Sequence, residues 1–524
     1  MEKNAPPPPD AALQEAIALH QRGQLEQAAA LYLAILEREP DNFDALHLLG
    51  VFALQSDDAQ AACDLIGRAL TLRPRDVPAH ANLGLALQKL QRWDAALLCY
   101  QEALQIDPGH LQALNNCGAT LRQMRRLDEA QACFERALRS APADPDALNN
   151  LGQVLIEQGR YDAALACLER ALGVAPDHVA ALFNRANALQ YQNRLGEALL
   201  AYQDVLRIAP AHVDANFNEG VCRLLGGDFD GGWPKYEWRR EKDAYLPLKR
   251  AFPQAPWLGQ PNLRGKTILV YAEQGLGDTL HFCRYVAPLA ALGAQVVLRV
   301  QPALLPLLGG LDGAWRVLAD GAPLPPFDYH CPLMSLALAL HTTPSTIPAP
   351  RSYLSADSAR ARAWQARLGR RDKPRIGIAW AGSAAHANDR RRSIALQQLL
   401  GLVSPQAQFV ALQKELGPLD RTLLDQHRDI LHFGQFQGDF AETAALVAEM
   451  DLVITVDTAL AHLAGAMGKP VWILLPFAPD WRWMLERDDS PWYRSATLFR
   501  QPAGGDWDSV LARVGAQLQA LAAP

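Results

Sequence analysis

Prolines at 40, 74, 108, 142, 176 and 210 recur every 34 residues, and ten residues after each stands Gly50, Gly84, Gly118, Gly152, Ala186 or Gly220. A fixed period of this length commits the chain to stacked copies of one small unit, because a single unit cannot bury its own apolar face. Two more columns keep the same phase. Ala28, Ala62, Ala96, Ala130, Ala164 and Ala198 are small; Tyr32, Ile66, Tyr100, Phe134, Leu168 and Tyr202 are bulky. Small residues let the two helices of a unit approach, bulky ones fill the space beside them, and proline ends the second helix. Six repeats are expected over 10–210, with a partial seventh whose Trp233, Tyr236 and Trp238 seal the array, so the array covers 10–241 and the proline-rich stretch 1–9 is expected to be disordered.

The period is that of the tetratricopeptide repeat (TPR), so the first half of the chain is expected to be an α-solenoid, a TPR superhelix. One column is not demanded by packing: Asn82, Asn116, Asn150, Asn184 and Asn218, each two residues before the glycine position on the first helix of its repeat. A primary amide carries both donor and acceptor, so a row of them can hold a peptide backbone without reading its side chains, or can bond neighbouring repeats to one another. The column resembles the asparagine ladder in the TPR superhelix of O-GlcNAc transferase, which implies an extended protein or peptide in the groove.

After a linker at 242–264, punctuated by Pro247, Pro253, Pro256 and Pro261, the pattern changes to strand–helix alternation. TILVYA, AQVVLRV, WRVLAD and a short strand before Cys331 make one series; RIGIAWAG, AQFVALQ, DLVITV and VWILL make a second. Two βαβ series predict an α/β fold of two doubly wound Rossmann-like lobes, at 265–352 and 353–524, with ligand held at the carboxyl ends of the strands. The segment from Ser509 to Leu521 closes the second lobe as a helix.

In the first lobe a strand runs into EQGLGDTLHFCRY. Gly275 and Gly277 let the turn approach a ligand and set Asp278 at a helix start. Asp278 can take a proton from an acceptor hydroxyl, or it can be a helix-terminal carboxylate stabilised by the dipole. His281, one turn on, is a second crevice candidate, although a lone histidine is more often structural. The turn lacks the third glycine of a dinucleotide fingerprint, and GKT at 265–267 precedes a strand, so it is not a P-loop. In the second lobe DLVITVDTALAHLAGAMG reads as strand, turn and helix, with Asp457 and Thr458 at the strand's carboxyl end. Helix N–H groups and the dipole there suit a phosphate, while a simple cap would use the same residues. WAGSAAHANDRRRSI offers Arg390, Arg391 and Arg392, of which one is expected on phosphate and at least one in solvent. Gln413 and Glu415 in LQKELG are candidates for a base or ribose.

Together these motifs resemble glycosyltransferases of the GT-B fold, and most closely the ADP-heptose:lipopolysaccharide heptosyltransferase family, from Lys266 to the C-terminus. The resemblance implies Asp278 as catalytic base, from a GD at the first strand's end; Arg392 on the donor phosphates; and a D-T-x-x-x-H signature at Asp457, Thr458 and His462. Two features depart from the family: Arg392-Ser393-Ile394-Ala395 replaces K-x-W-P, and DWRWMLERDDSPWY follows Pro479. With the repeats, the plan is similar to O-GlcNAc transferase and to bacterial TPR proteins carrying such a domain. The function this implies is an inverting, metal-independent transferase moving a sugar from a nucleotide-diphosphate donor to a hydroxyl on a protein bound by the repeats. A glycan- or lipid-linked acceptor, or a TPR scaffold with a non-catalytic GT-B module, stays open.

The remaining composition narrows the classes. A net charge of −6 argues against nucleic-acid binding, which needs a basic surface. The most apolar stretch, Tyr285 to Leu308, is interrupted by Pro288, Gln295, Arg299, Gln301 and Pro302, so no membrane span is expected; MEKNAPPPPD has no apolar signal core, so a cytoplasmic location is. Cys99, Cys133 and Cys167 keep the 34-residue phase and no C-x-x-C pair occurs, so the cysteines read as small hydrophobes. No metal and no cofactor beyond the nucleotide sugar is expected: Asp144/Asp146, Asp228/Asp230 and Asp506/Asp508, the D-x-D pairs, fall in repeat turns or before the last helix.

Overall fold

The computed structural model describes residues 9–243, 245, 252–383 and 388–522. Of the stretch 1–9 expected to be disordered, residues 1–8 lie outside the described residues, as do part of the linker and part of the arginine-bearing loop, whereas Pro9 already begins the first helix. The chain divides into two compact units, Met1–Ala188 and Leu189–Pro524.

The first unit is a helical solenoid. Helices of 13 and 14 residues alternate, as in Val77–Lys89 with Trp93–Ile106 and Leu111–Gln123 with Leu127–Ser140. The glycines of the column leave room for the second helix of the repeat. A Cβ on Gly84 would stand 2.5 Å from the Tyr100 ring, one on Gly118 2.6 Å from Phe134, and one on Gly152 2.8 Å from Leu168. Each glycine of the first helix thus seats the bulky residue of the second, and both bulky and alanine columns are buried. Two devices repeat beside the packing. Two residues after each proline a side chain caps the next helix: Asn42, Asp76 and Asp144 accept from Ala45, Ala79 and Ala147, and His110 does so from Ala113. Between repeats, Arg68, Arg136 and Arg170 donate to the carbonyls of Pro40, Pro108 and Pro142. Each helix pair also turns through a left-handed residue, at Gly23, Asp57, Gln91, Arg125 and Gly159, and again at Asn193 and Gly227 beyond the unit.

The second unit begins with the helices Leu195–Ile208, Val213–Leu225 and Phe229–Tyr236 and continues into two parallel sheets. The first holds β1 (Ala255–Pro256), β2 (Thr267–Tyr271), β3 (Gln295–Val300), β4 (Ala314–Ala319) and β5 (Tyr329–Pro332) in the order β1-β5-β2-β3-β4. The second holds β6 (Arg375–Ala379), β7 (Gln408–Ala411), β8 (Ile430–His432), β9 (Leu452–Val456), β10 (Val471–Leu475) and β11 (Ala496–Arg500) in the order β11-β10-β9-β6-β7-β8. The fold class is therefore the expected one, a solenoid followed by two doubly wound α/β sheets. β1, β8 and β11 were not anticipated; they are edge strands, two of them three residues or shorter. Central strands β9 and β10 are buried along their whole length, as helices on both faces require. The closing helix runs Trp507–Ala522.

Strand order reverses between β2 and β5 in the first sheet and between β6 and β9 in the second, which is where open α/β sheets form crevices. Aromatic residues seal the second unit: the Trp233 ring meets Trp481 edge-on at 5.3 Å, Tyr236 meets Trp481 at 5.6 Å, and Trp233 Nε1 donates to the Thr342 carbonyl at 2.8 Å. Trp233 and Tyr236 thus act as expected, whereas Trp238 is half-buried. Among the described residues no helix is long and apolar enough to cross a membrane.

Candidate functional site

After β2 the chain turns through Gly275 into the helix Leu276–Phe282. Asp278 closes that start itself, its Oδ2 accepting the Gly275 N–H at 3.0 Å. After β9, Thr458 caps the helix Ala459–Ala466, Oγ1 accepting the Leu460 N–H at 3.3 Å. The two helices meet at their N-terminal ends. A Cβ on Gly277 would lie 3.1 Å from the His462 ring and 3.3 Å from Ala459 Cα, so Gly277 is needed for a close approach between lobes instead of around a ligand turn. The two motifs read from the sequence are thereby brought together.

Arg392 reaches the same place from the loop after β6. Its Nη1 donates to the Asp457 carbonyl at 3.0 Å and its Nε to Asp389 at 3.3 Å. Of the neighbouring arginines, Arg390 is exposed and Arg391 lies over the Tyr191 ring. Burial and the nearby Asp480 charge push the Asp457 carboxyl up to about 6, opposed by Trp483, Arg392 and Arg482. Gln413 sits at the rim, accepting the Ala381 N–H at 3.3 Å, and Glu415 is exposed.

Both histidines are core residues, and His281 does not face a crevice. His281 Nδ1 and His462 Nδ1 lie 3.0 and 2.9 Å from one hydroxyl, that of Tyr493. The hydroxyl has one proton, so at least one ring donates its own N–H. His462 stacks on Trp483 at 5.4 Å, and His281 packs against Trp492 at 4.5 Å. Burial first, then the Arg284 and Arg482 cations, hold both rings well below the usual histidine range. The sequence reading missed Tyr493 because it arrives from the far end of the second lobe.

Three other groups were missed. Arg482 Nη2 donates to Asp278 Oδ1 at 2.6 Å, and its Nη1 to Asp480 at 2.9 Å. Glu273, in the turn before Gly275, is buried and accepts from Arg239 at 2.7 and 3.2 Å and from the Tyr245 hydroxyl at 2.5 Å. Arg239 also donates to Ser335, directly after β5, whose hydroxyl bonds Glu237. For Arg482 and Tyr493 the available signal was the stretch DWRWMLERDDSPWY, dense in tryptophan and charge where the heptosyltransferase pattern ends.

Along the asparagine column, Asn82 Nδ2 lies 3.0 Å from His47 Nε2 and Asn184 Nδ2 donates to Asn149 at 2.9 Å, both joining successive repeats. Asn150 receives a bond from its neighbour Asn149 at 3.5 Å, Asn218 bonds Tyr202, and the Asn116 amide nitrogen has no partner among the described residues. Of the D-x-D pairs, Asp144, Asp228 and Asp506 cap helices or turns through the N–H groups of Ala147, Gly231 and Ser509.

Tetratricopeptide models match residues 13–77, 76–143 and 145–211. The repeats are tetratricopeptide repeats. Within the second unit, residues 437–479 match the model of glycosyltransferase family 9 (heptosyltransferase), a segment that contains Asp457, Thr458 and His462 and stops before Arg482. The chain therefore joins a TPR array to a segment similar to a glycosyltransferase. Protein FlbA of Caulobacter vibrioides is 29% identical over 319 residues, which cover 56% of this chain and 52% of FlbA; the match thus spans about half the length of that relative. Among solved structures, PilF of Pseudomonas aeruginosa aligns with a TM-score of 0.36 at 22% identity, covering 40% of this chain and 94% of its own. YrrB, described as a TPR protein with an unusual peptide-binding site, aligns at 0.29 and 25% identity, covering 34% and 91%.

Proposed function

We propose that the protein is an inverting, metal-independent glycosyltransferase that moves a sugar from a nucleotide-diphosphate donor to a hydroxyl on a polypeptide held by the TPR array. The observation that carries this reading is the meeting of the helix starts at Asp278 and Thr458 beside Arg392, at the carboxyl edges of two parallel sheets. In the reaction, the acceptor oxygen bonds the anomeric carbon as the bond from that carbon to the diphosphate breaks, and Asp278 takes the hydroxyl proton. Arg392, Thr458 and the helix N–H groups stabilise the departing diphosphate; Asp457 accepts from a sugar hydroxyl; Gln413 and Glu415 face the nucleoside. The first aspartate of each D-x-D pair, the motif that holds a divalent ion in metal-dependent transferases, is used here as a cap.

One observation favours a second reading, a TPR scaffold whose α/β module does not catalyse: both Asp278 oxygens are already bonded. Assay of radiolabelled nucleotide sugars for hydrolysis and for transfer to lysate proteins, with wild type and Asp278→Asn, separates the two. A catalytic Asp278 makes the variant about 10²–10⁴-fold slower with donor binding intact; no hydrolysis or transfer above background by wild type would leave the scaffold, and equal rates above background would give the role of base to another residue. The acceptor is tested in the groove. Asn116→Ala with Asn150→Ala should weaken acceptor binding roughly 5- to 150-fold, at about 0.5–1.5 kcal/mol each, without changing donor hydrolysis. Undiminished protein labelling would remove the groove from the mechanism and leave the repeats as a docking or scaffold module.

A further inference from the structure

Asp278 is held from two directions. Its Oδ2 takes the Gly275 N–H of its own helix, and its Oδ1 takes Arg482 Nη2 at 2.6 Å from the other sheet, since Asp278 follows β2 and Arg482 follows β10. One bond per oxygen fixes the plane of the carboxylate and leaves further lone pairs for an outside hydroxyl. With 24% of its side chain exposed, Asp278 can be reached by one.

Arg482 is itself immobilised. Asp480 Oδ1 accepts both its Nη1, at 2.9 Å, and its backbone N–H, at 3.0 Å. The guanidinium carbon lies 4.5 Å from the Trp481 ring centre and 5.6 Å from that of Phe282. Its side chain is 7% exposed. An ion pair in solvent contributes little and moves freely, but a cation this buried tolerates no loss of its partners, so its geometry is part of the framework. Arg392 does not share this role: its bonds go to the Asp457 carbonyl and Asp389, not to Asp278.

We propose that Arg482 is a positioning residue for Asp278, aiming the carboxylate across the lobe boundary at the acceptor hydroxyl; this rests on the glycosyl-transfer reading above. Its effect falls on turnover and not on donor affinity. The full chain carrying Arg482→Gln should lose roughly 10- to 100-fold in kcat, the scale of a small misplacement of a reacting group, while donor KM and calorimetric nucleoside-diphosphate affinity change less than about twofold. Arg482→Lys should recover part of the loss, because it restores charge without the planar fork, and low, non-denaturing guanidinium should revive Arg482→Ala but not Asp278→Asn. The double variant Asp278→Asn/Arg482→Gln should turn over no more slowly than Asp278→Asn alone, since one residue acts through the other. Loss of nucleoside-diphosphate affinity matching the loss of kcat would make Arg482 a donor ligand and overturn the inference. A dead Asp278→Asn with a fully active Arg482→Gln would also overturn it, and that alone; an Asp278→Asn as active as wild type would remove Asp278 as the base and this inference with it, whereas a wild type that transfers no sugar would remove the transfer reading itself.

Discussion

The two sheets furnish their points of reversal differently. Between β2 and β5 the space is filled by the protein: Arg239, Glu273, Glu237, Ser335 and the Tyr245 hydroxyl satisfy one another, and the Arg239 and Glu273 side chains are wholly buried. Between β6 and β9 the groups keep capacity in hand: Arg392 is only partly engaged, Thr458 stands at a helix start, and Asp457 carries a carboxyl raised to about 6. A closed ionic knot cannot take a ligand, but it can fix the turn that carries Asp278. The first sheet therefore supplies a rigid mount and, on the proposed function, the second supplies the binding groups.

Breaking the mount should have the largest effect. Removing one member of a buried pair leaves the other charge unpaired at about 3–5 kcal/mol, so Glu273→Leu should lower the denaturant midpoint of the second unit strongly, and adding Arg239→Met should recover much of the loss. A change under about 1 kcal/mol in the single variant would show that the knot is not structural. Next, Arg392→Ala and Thr458→Ala should each weaken nucleoside-diphosphate binding by about 1.5–3 kcal/mol, the scale of a charge-assisted hydrogen bond. The bare nucleoside should bind as before; equal losses by calorimetry would erase the distinction between the sheets.

The smallest effect is in the pH dependence of unfolding. His281 and His462 have folded values below their unfolded one near 6.5, so the unfolded rings take up protons that the folded ones refuse, and stability falls as pH drops below about 6.5. Asp457 runs the other way: raised to about 6, it favours its protonated form in the fold, so acidification below that value relieves a penalty. Below pH 6 Asp457 should therefore offset about one of the two histidine contributions. Each histidine contributes a slope of about 1.4 kcal/mol per pH unit, and His281→Gln should remove one such contribution from a calorimetric series. An unchanged slope would mean the ring is already protonated in the fold.

The repeats were legible because their contacts recur at the period of the sequence: Gly118 answers Phe134 as Gly84 answers Tyr100. Their left-handed turn was not, since Asp57, Gln91 and Arg125 occupy a position that Gly23 and Gly159 share, and the helices on either side impose the conformation. In the second unit, strand–turn–helix patterns disclosed Asp278 and Asp457, each placed by its own neighbours in the chain. Arg482 was invisible because its partner is 204 residues away, and a buried arginine has the composition of a surface one. His281 was read as a crevice group for the same reason: Trp492, Tyr493 and His462, which enclose it, come from the other lobe. β8 and β11 were missed because ILH is too short to show a period and ATLFR carries its apolar residues without alternation.

The bonds from Arg68, Arg136 and Arg170 to the preceding proline carbonyls reach back one repeat and no further. Array length is therefore a free variable. Excising one whole period, residues 75–108, would leave Pro74 followed by Gly109 with every column still in phase, and would cost one interface between neighbours instead of the fold. A shift of a single residue would throw each glycine out of line with its bulky partner. Recombination that adds or drops complete repeats can thus lengthen or shorten the surface offered to a partner while the α/β sheets are left as they are.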